Sequence, residues 1–376
     1  MSSKSKHVMT LEKACSLRLH KQFLIEPAEK PIDVIRAMIA IQSQYSMSVP
    51  IAIRARCENL DPDWTSNAFS KTRELVKIWC MRHTIHAILS DDLSMFTHSI
   101  GLECLKKLDI ALKELRGLDR NIVKKRNSRI MQALSDGPLY RSELHAKVPE
   151  LANIPGASWG MDVKRLIFRG DVVINELSGR ETRFARRDLW LSHKKWTPIS
   201  NEKALENLLK RYLESYGPAT MQDFAYWSGL KMAVVRSVFE SIKKDLIDVE
   251  IPGLPGNNYL LKSDEKFPDV KNIKPSGIKI LPKFDAIMMS YKAKNGFLDD
   301  ADYKKVFRPV GQIEALVLLD GKVIATWRSE KQGSTLKFTV LPFTKIKAKE
   351  TNELKETFRK LSEFLGSRIA KIEIVN

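Results

Sequence analysis

The sequence predicts an α+β protein built from a repeated helix–helix–hairpin unit and completed by a strand-rich C-terminal segment. Three observations carry that prediction. Between residues 120 and 265 one pattern occurs twice, about 80 residues apart, and a repeat of that kind marks a stacked supersecondary unit. Beyond Pro275 the helical spacing of apolar residues gives way to strand-like runs. The composition, 43% hydrophobic and 29% charged over 376 residues, is globular with room for about two to four domains, which excludes a disordered tail or a collagen-like array.

The first copy begins with an amphipathic helix through Arg126, Ile130 and Leu134 that Asp136-Gly137-Pro138 stops. Leu139-Tyr140 is a short extended piece. A helix starts at Arg141-Ser142-Glu143-Leu144, a loop follows around Pro155-Gly156, and a second helix runs from Ser158 to Arg169 until Gly170 ends it. Asp171 to Leu177 and Thr182 to Asp188 then pair as strands about Ser178-Gly179-Arg180-Glu181. The second copy keeps the order, with helices at Ala204 to Tyr216, Met221 to Trp227 and Met232 to Leu246 and a hairpin around Gly253-Leu254-Pro255-Gly256-Asn257. This succession is the winged-helix arrangement. The N-terminal part fits a third copy, with helices at Asp33 to Gln44, Ile51 to Cys57 and Ser66 to Thr72 and a strand pair within Leu75 to Leu89, whose turn is not evident. In the C-terminal segment Ile278 to Leu281, Glu314 to Asp320, Lys322 to Arg328 and Leu336 to Phe343 read as strands, Asp320-Gly321 as a hairpin turn, Glu353 to Leu365 as a helix and Lys371 to Val375 as a last strand. The predicted divisions are winged-helix units at 1–119, 120–200 and 201–275, and an α+β segment at 276–376.

Net charge is +18, so the folded surface carries a large positive field and calls for a polyanionic partner. Nucleic acid fits better than a membrane, since no long apolar span or basic amphipathic anchor is present. Basic residues cluster at Lys124, Lys125, Arg126 and Arg129, and again at Arg180, Arg183, Arg186 and Arg187 in the strand pair, where Arg183 points outward and Phe184 inward. Contacts of this kind to phosphates set affinity and register without reading bases. The N-terminus shows no export signal, and the expected location is the cytoplasm, at the nucleoid. Cys15, Cys57, Cys80 and Cys104 form no Cys-x-x-Cys pair and read as reduced thiols, and His83 and His86 sit three apart in a strand-like run, facing opposite ways. No metal and no cofactor is expected.

The stretch from Asp33 to Arg56 holds the candidate chemistry. Val34, Met38 and Ile41 form one helical ridge and Ile35, Ile39 and Gln42 the next, so Gln42 falls on the buried face. A buried amide without a partner costs about 1–3 kcal/mol. Gln44 lies roughly 200° further around a regular helix, and the two amides converge only if the helix ends or distorts. Ser46, Ser48 and Pro50 favour such an ending. Two readings stand side by side: a solvated helix end, or a pair of amides built for a site.

Four blocks of residues bear a resemblance. Ile41-Gln42-Ser43-Gln44 with Pro50 and Arg54-Ala55-Arg56, Trp79-Cys80-Met81-Arg82-His83-Thr84-Ile85-His86, Leu281-Pro282-Lys283-Phe284-Asp285, and Asp320-Gly321-Lys322 leading to Thr326-Trp327-Arg328 together resemble the tandem winged-helix DNA glycosylases represented by AlkZ and YcaQ. The resemblance implies three winged-helix units in a concave arrangement with a β-rich C-terminal part. It implies a monofunctional glycosylase acting in base-excision repair on cationic N7-alkylated purines in double-stranded DNA, and on interstrand crosslinks. Gln42 and Gln44 match the family's catalytic Gln-x-Gln motif. Arg54, Arg82, Thr84, His86, Lys164, Arg180 and Arg183 are the candidate DNA contacts, with a structural role in the strand pair standing beside it for Arg82, Thr84 and His86. His83 takes the place of the family's glycine. The expected protein is a monomer, and the rival reading is a non-catalytic tandem winged-helix DNA-binding or regulatory protein.

Overall fold

A computed structural model describes residues 7–116, 120–151, 160–176, 181–266 and 274–375. The chain is mixed α+β, and its residues gather into two compact units that interleave along the sequence. One comprises residues 1–64, 210–227 and 231–376, and the other residues 65–209 and 228–230. Among the described residues no helix is long and apolar enough to cross a membrane.

The larger unit holds a five-stranded sheet in the order Ile278–Leu281, Ala315–Leu319, Lys322–Gln332, Thr335–Pro342, Arg368–Ile374. The first three pairings are antiparallel. The last is parallel, and the Ala348–Phe364 helix supplies the crossover. Alternating side chains put Trp327 and Phe338 on the covered face, where Phe358 of that helix packs between them with ring centroids 5.5 and 4.8 Å away. The strands expected at Glu314 to Asp320, Lys322 to Arg328 and Leu336 to Phe343 thus form, within a few residues of the expected ends. A smaller sheet joins His7–Val8, parallel, to Leu246–Glu250, which pairs antiparallel with Asn258–Leu261. Ala14 and Leu17 of the Leu11–Lys21 helix share its core with Val249, Ile251 and Leu260. The Met232 helix is shorter than expected, ending at Ser241, and Leu246 already begins a strand.

The other unit is organised on an antiparallel sheet, Ile85–Leu89, Leu75–Trp79, Val172–Ile174, Arg183–Arg186, Leu139–Tyr140. Pairing of Lys77 with Ile174 joins the Leu75–Trp79 and Ile85–Leu89 strand pair to that of Val172–Ile174 and Arg183–Arg186. The helices Arg120–Ala133, Arg141–Lys147 and Met161–Phe168 belong to the same unit. Gly101 ends a π-helical turn where a Cβ would lie 2.5 Å from the Phe168 carbonyl oxygen, so only glycine lets the two segments approach. Gly179, Arg180 and the Pro155-Gly156 loop lie outside the described residues.

The helix expected from Asp33 to Gln44 is a correction. It runs only over Pro31–Met38, after which Ile39 adopts φ 61°, ψ −50° and the chain continues as the strand Ala40–Gln42. Those angles lie near a γ-turn, a rare and strained geometry, and more so for a β-branched residue. The Ile39 N–H still caps the helix by donating to the Ile35 carbonyl oxygen at 2.8 Å.

Candidate functional site

The break at Ile39 gives the two glutamines a new relation. A regular helix would set their side chains roughly 200° apart, and the strand that replaces it ends at Gln42, so Gln44 is placed by the bend that follows and not by strand alternation. Gln42 closes the Ala40–Gln42 strand and is 7% exposed, and Gln44 follows, exposed, in the bend before the Ser48–Arg54 helix. Gln42 Oε1 and the neighbouring Ser43 Oγ are buried with no hydrogen-bond partner among the described residues. A buried acceptor left open carries a desolvation cost of about 1–3 kcal/mol, so the segment holds polar capacity that its own fold does not use.

The bend carrying Gln44 is pinned from the far end of the sequence. Tyr45, next to Gln44, stacks on Phe284 at 6.1 Å and donates from its hydroxyl to Gln312 Oε1 at 3.0 Å. The Lys283 ammonium lies 5.2 Å from the Tyr45 ring centroid and 3.3 Å from Glu314, which also pairs with Arg328 at 2.9 Å. Ser48 donates to the Lys283 carbonyl oxygen at 3.3 Å. Beneath them Arg56 and Asp285, both wholly buried, form a two-pronged ion pair at 2.9 and 2.7 Å, and Asp285 also caps the Ala286–Met289 helix through Ile287 N–H. Phe284, held between Lys283 and Asp285, sits at φ 59°. Two sequence blocks some 230 residues apart, Gln42 to Arg56 and Lys283 to Asp285, therefore meet here, the Arg56–Asp285 bond spanning 229 residues. Arg54 is half-buried and donates to the Cys57 carbonyl oxygen at 3.5 Å. Tyr45, Phe284, Gln312 and Asp285 were not singled out as site residues from sequence, since nothing local in it brings them together. A hairpin also missed, Phe307–Arg308 with Gln312–Ile313, puts Gln312 in place and leaves Val310 96% exposed at its tip.

The second unit gathers most of the other candidates around one turn. Arg82 and His83 are the central residues between Met81 and Thr84, both at positive φ (52° and 59°), with Thr84 N–H donating to the Met81 carbonyl oxygen at 3.1 Å. Positive φ at both central positions defines the tight turn that best matches strand twist, and glycine is its preferred second residue. The glycine expected from the resemblance at the position of His83 would meet this geometry without strain. We expect His83→Gly to raise the unfolding free energy by roughly 1 kcal/mol, read from urea midpoints, because left-handed backbone penalises a Cβ. The His83 ring meets Phe168 edge-on at 5.8 Å, and Lys164, one helical turn before Phe168, lies 5.3 Å from the Trp79 ring, its own ammonium pKa lowered by burial. Trp79 stacks on Phe184, and the neighbouring Arg183 lies 5.3 Å over the Tyr140 ring. Arg82, Thr84, Lys164 and Arg183 thus belong to one unit; Arg180 lies outside the described residues.

His86 is buried, and burial followed by the Arg82 charge pushes its pKa down to about 3. Its Nδ1 donates to the Thr84 carbonyl oxygen at 3.1 Å, so the neutral ring serves the strand pair, and the structural alternative is the one its placement supports. Lys77, in the adjacent strand, is also buried, which lowers its pKa to about 8 against the pull of Glu176. The unfolded chain holds this proton up to about 10.5, so between pH 8 and 10.5 unfolding takes up a proton and stability gains with rising pH. The stability gap between wild type and Lys77→Met is expected to shift in favour of the wild type across that window, followed by urea titrations at pH 7.5 and 10.

Known proteins bear on this geometry. A family model described as DNA glycosylase AlkZ-like matches residues 35–364. The interstrand DNA cross-link repair glycosylase of Streptomyces sahachiroi is 23% identical over 349 residues, covering 87% of this chain and 88% of that protein. In fold, the chain resembles the solved structure of Streptomyces sahachiroi DNA glycosylase AlkZ with a TM-score of 0.81, at 19% identity, over 98% of this chain and 100% of that one.

Proposed function

The chain belongs to the AlkZ-like family of DNA glycosylases, and from that premise we propose that it hydrolyses the N-glycosidic bond of cationic N7-alkylated purines in double-stranded DNA, unhooks interstrand crosslinks built on such purines, and works as a monofunctional, monomeric enzyme of base-excision repair at the nucleoid. The observation that carries the proposal is the buried Oε1 of Gln42, without a partner among the described residues and two residues from exposed Gln44, just after a strained break turns helix into strand. Glutamine has no usable pKa and makes a poor general base. An N7-alkylated purine already carries positive charge and departs without being protonated. What the reaction still needs is a water held in line with the anomeric carbon and a negative pole toward the cationic sugar, and two amide oxygens serve both needs.

Residues 1–119, 120–200 and 201–275 act, in this reading, as winged-helix units with 276–376 beside them. The hairpins Val172–Ile174 with Arg183–Arg186 and Leu246–Glu250 with Asn258–Leu261, each following its helices, support the two later units. Arg54, Arg82, Thr84, Lys164, Arg180 and Arg183 contact phosphates. Log affinity for duplex DNA is then expected to fall with log salt by about 0.9 per phosphate neutralised, and the double variant Arg180→Ala/Arg183→Ala to flatten that slope. An unchanged slope by fluorescence anisotropy removes the strand pair from the DNA surface.

The test of the function is incubation of purified protein with duplexes bearing N7-methylguanine, a nitrogen-mustard crosslink or uracil, scoring abasic sites. Release from the first two and not from uracil is expected, since neither glutamine can protonate a neutral leaving base. Tight binding with no abasic sites on any duplex would establish the rival, non-catalytic DNA-binding reading.

A further inference from the structure

A cavity of about 410 Å³ opens in the larger unit between the Leu11–Lys21 helix, the start of the Met221–Ser228 helix and the turn joining Leu246–Glu250 to Asn258–Leu261. Its volume falls in the range of small-ligand sites, roughly 300–1,000 Å³. Leu254 and Pro255 of the turn give it an apolar wall. Arg18, also in the lining, is 1% exposed, and no carboxylate lies within ion-pair distance of it among the described residues. Its Nε and Nη2 both donate to one oxygen, the Pro218 carbonyl, at 3.0 and 2.8 Å, while its face rests 4.1 Å from the Tyr291 ring centroid. That leaves Nη1 with no acceptor among the described residues. Asn258 is wholly buried in the same lining, and its Nδ2 donates to the Gly256 carbonyl oxygen at 3.4 Å while its Oδ1 has no partner among the described residues. The other buried polar groups of the lining, Asp223 and Thr220, are already engaged: Asp223 accepts from the backbone N–H groups of Thr220 at 2.9 Å and Lys292 at 2.7 Å, and Thr220 Oγ1 accepts from Asp223 N–H at 3.0 Å.

Asn258 Oδ1, buried, and Arg18 Nη1, on a buried side chain, each lack a partner among the described residues and belong to the lining of one small cavity. Such groups cost stability unless something meets them. A carboxylate or a phosphodiester offers acceptors only and leaves Asn258 Oδ1 open, a metal or organic cation would face Arg18, and free hydrogenphosphate, which carries its own O–H, is the competitor that the titration includes. We propose that this cavity binds the amide edge of a nucleobase, the carbonyl beside a ring N–H that guanine, thymine and uracil share. The carbonyl accepts from Arg18, the ring N–H donates to Asn258 Oδ1, and the ring lies along Leu254 and Pro255. The site uses no residue of the Gln42–Gln44 segment, so its failure and the failure of the glycosylase reading are separate results.

The experiment is calorimetric titration of the full chain with guanosine, with 1-methylguanosine, in which a methyl group replaces the ring N–H, and with guanosine inside a short single strand. Saturable binding of guanosine, at least about tenfold weaker for the methylated form, is expected. Asn258→Leu should weaken guanosine by a similar factor. Leu254→Trp, in the turn and able to fill the mouth without touching the buried polar groups, should abolish binding and serves if Asn258→Leu does not fold. Tighter binding of the strand than of the nucleoside identifies DNA as the source of the base, and the reverse identifies a free base. Equal affinity for the two nucleosides, displacement of guanosine by inorganic phosphate, guanosine binding unmoved by Leu254→Trp, or no binding at all overturns the proposal.

Discussion

Replacing Gln44 by alanine is expected to lower excision of N7-methylguanine on the order of 10²-fold or more, the loss seen when one preorganised transition-state partner is removed, while affinity for the same duplex stays near the wild-type value. Gln44 is exposed, so the change empties no core and the melting temperature should hold. Gln42→Ala differs, because Gln42 is buried, and its single-turnover rate has to be read beside a melting curve. A combined loss much smaller than the product of the two single losses is expected in Gln42→Ala/Gln44→Ala, since groups acting on one water are not additive. Excision at the wild-type rate by Gln44→Ala would sink the mechanism and advance the binding-protein reading.

The second large effect is expected at the buried ion pair under the site. Removing one member of a buried pair strands the other charge and costs about 3–5 kcal/mol. Asp285→Ala should cost at least that range, because Asp285 also caps the Ala286–Met289 helix. Arg56→Met/Asp285→Leu, which removes both charges, should recover much of the stability in chemical denaturation. The rate tells a different story: Phe284, adjacent to Asp285, is the surface on which Tyr45 stacks, so the double variant is expected to excise slowly even where it is fully folded. A double variant as fast as wild type would make the pair a matter of stability alone.

How far the sequence alone carries can be judged element by element. The strands of the C-terminal sheet were legible because alternation of apolar residues and the Asp320-Gly321 turn are local signals; the register shifts at Val317/Leu318 and Leu336/Lys337 and the parallel pairing of the last strand were not. The Leu11–Lys21 helix was missed because its inward face carries Arg18 and Lys21, whose burial depends on the Pro218 carbonyl and Asp264, about 200 and 243 residues away. The turn at Arg82-His83 was not evident because Arg82 has no preference for positive φ and His83 only a modest one, far short of the Asn-Gly or Asp-Gly pair that marks such turns. The helix end at Ile39 ran against local preference altogether, since the residue that breaks the helix is one that backbone sterics would keep out of that geometry. Gln42 and Gln44 were legible as residues; that the first closes a short strand and the second falls in the bend after it was not.

That break at Ile39 has a bearing on how this protein would respond to selection in the laboratory. Backbone held in such a region stores on the order of 1–3 kcal/mol, released by a residue without a Cβ. Ile39 is also fully buried, so glycine there trades relief of strain against lost packing, and a small β-unbranched residue such as alanine is the milder compromise. A screen for heat resistance run without an assay for base release would favour whichever change lets the Pro31–Met38 helix run on through Ile39. Such a winner would carry its glutamines on opposite sides of a longer helix, and it would be a better thermometer reading and a worse repair enzyme.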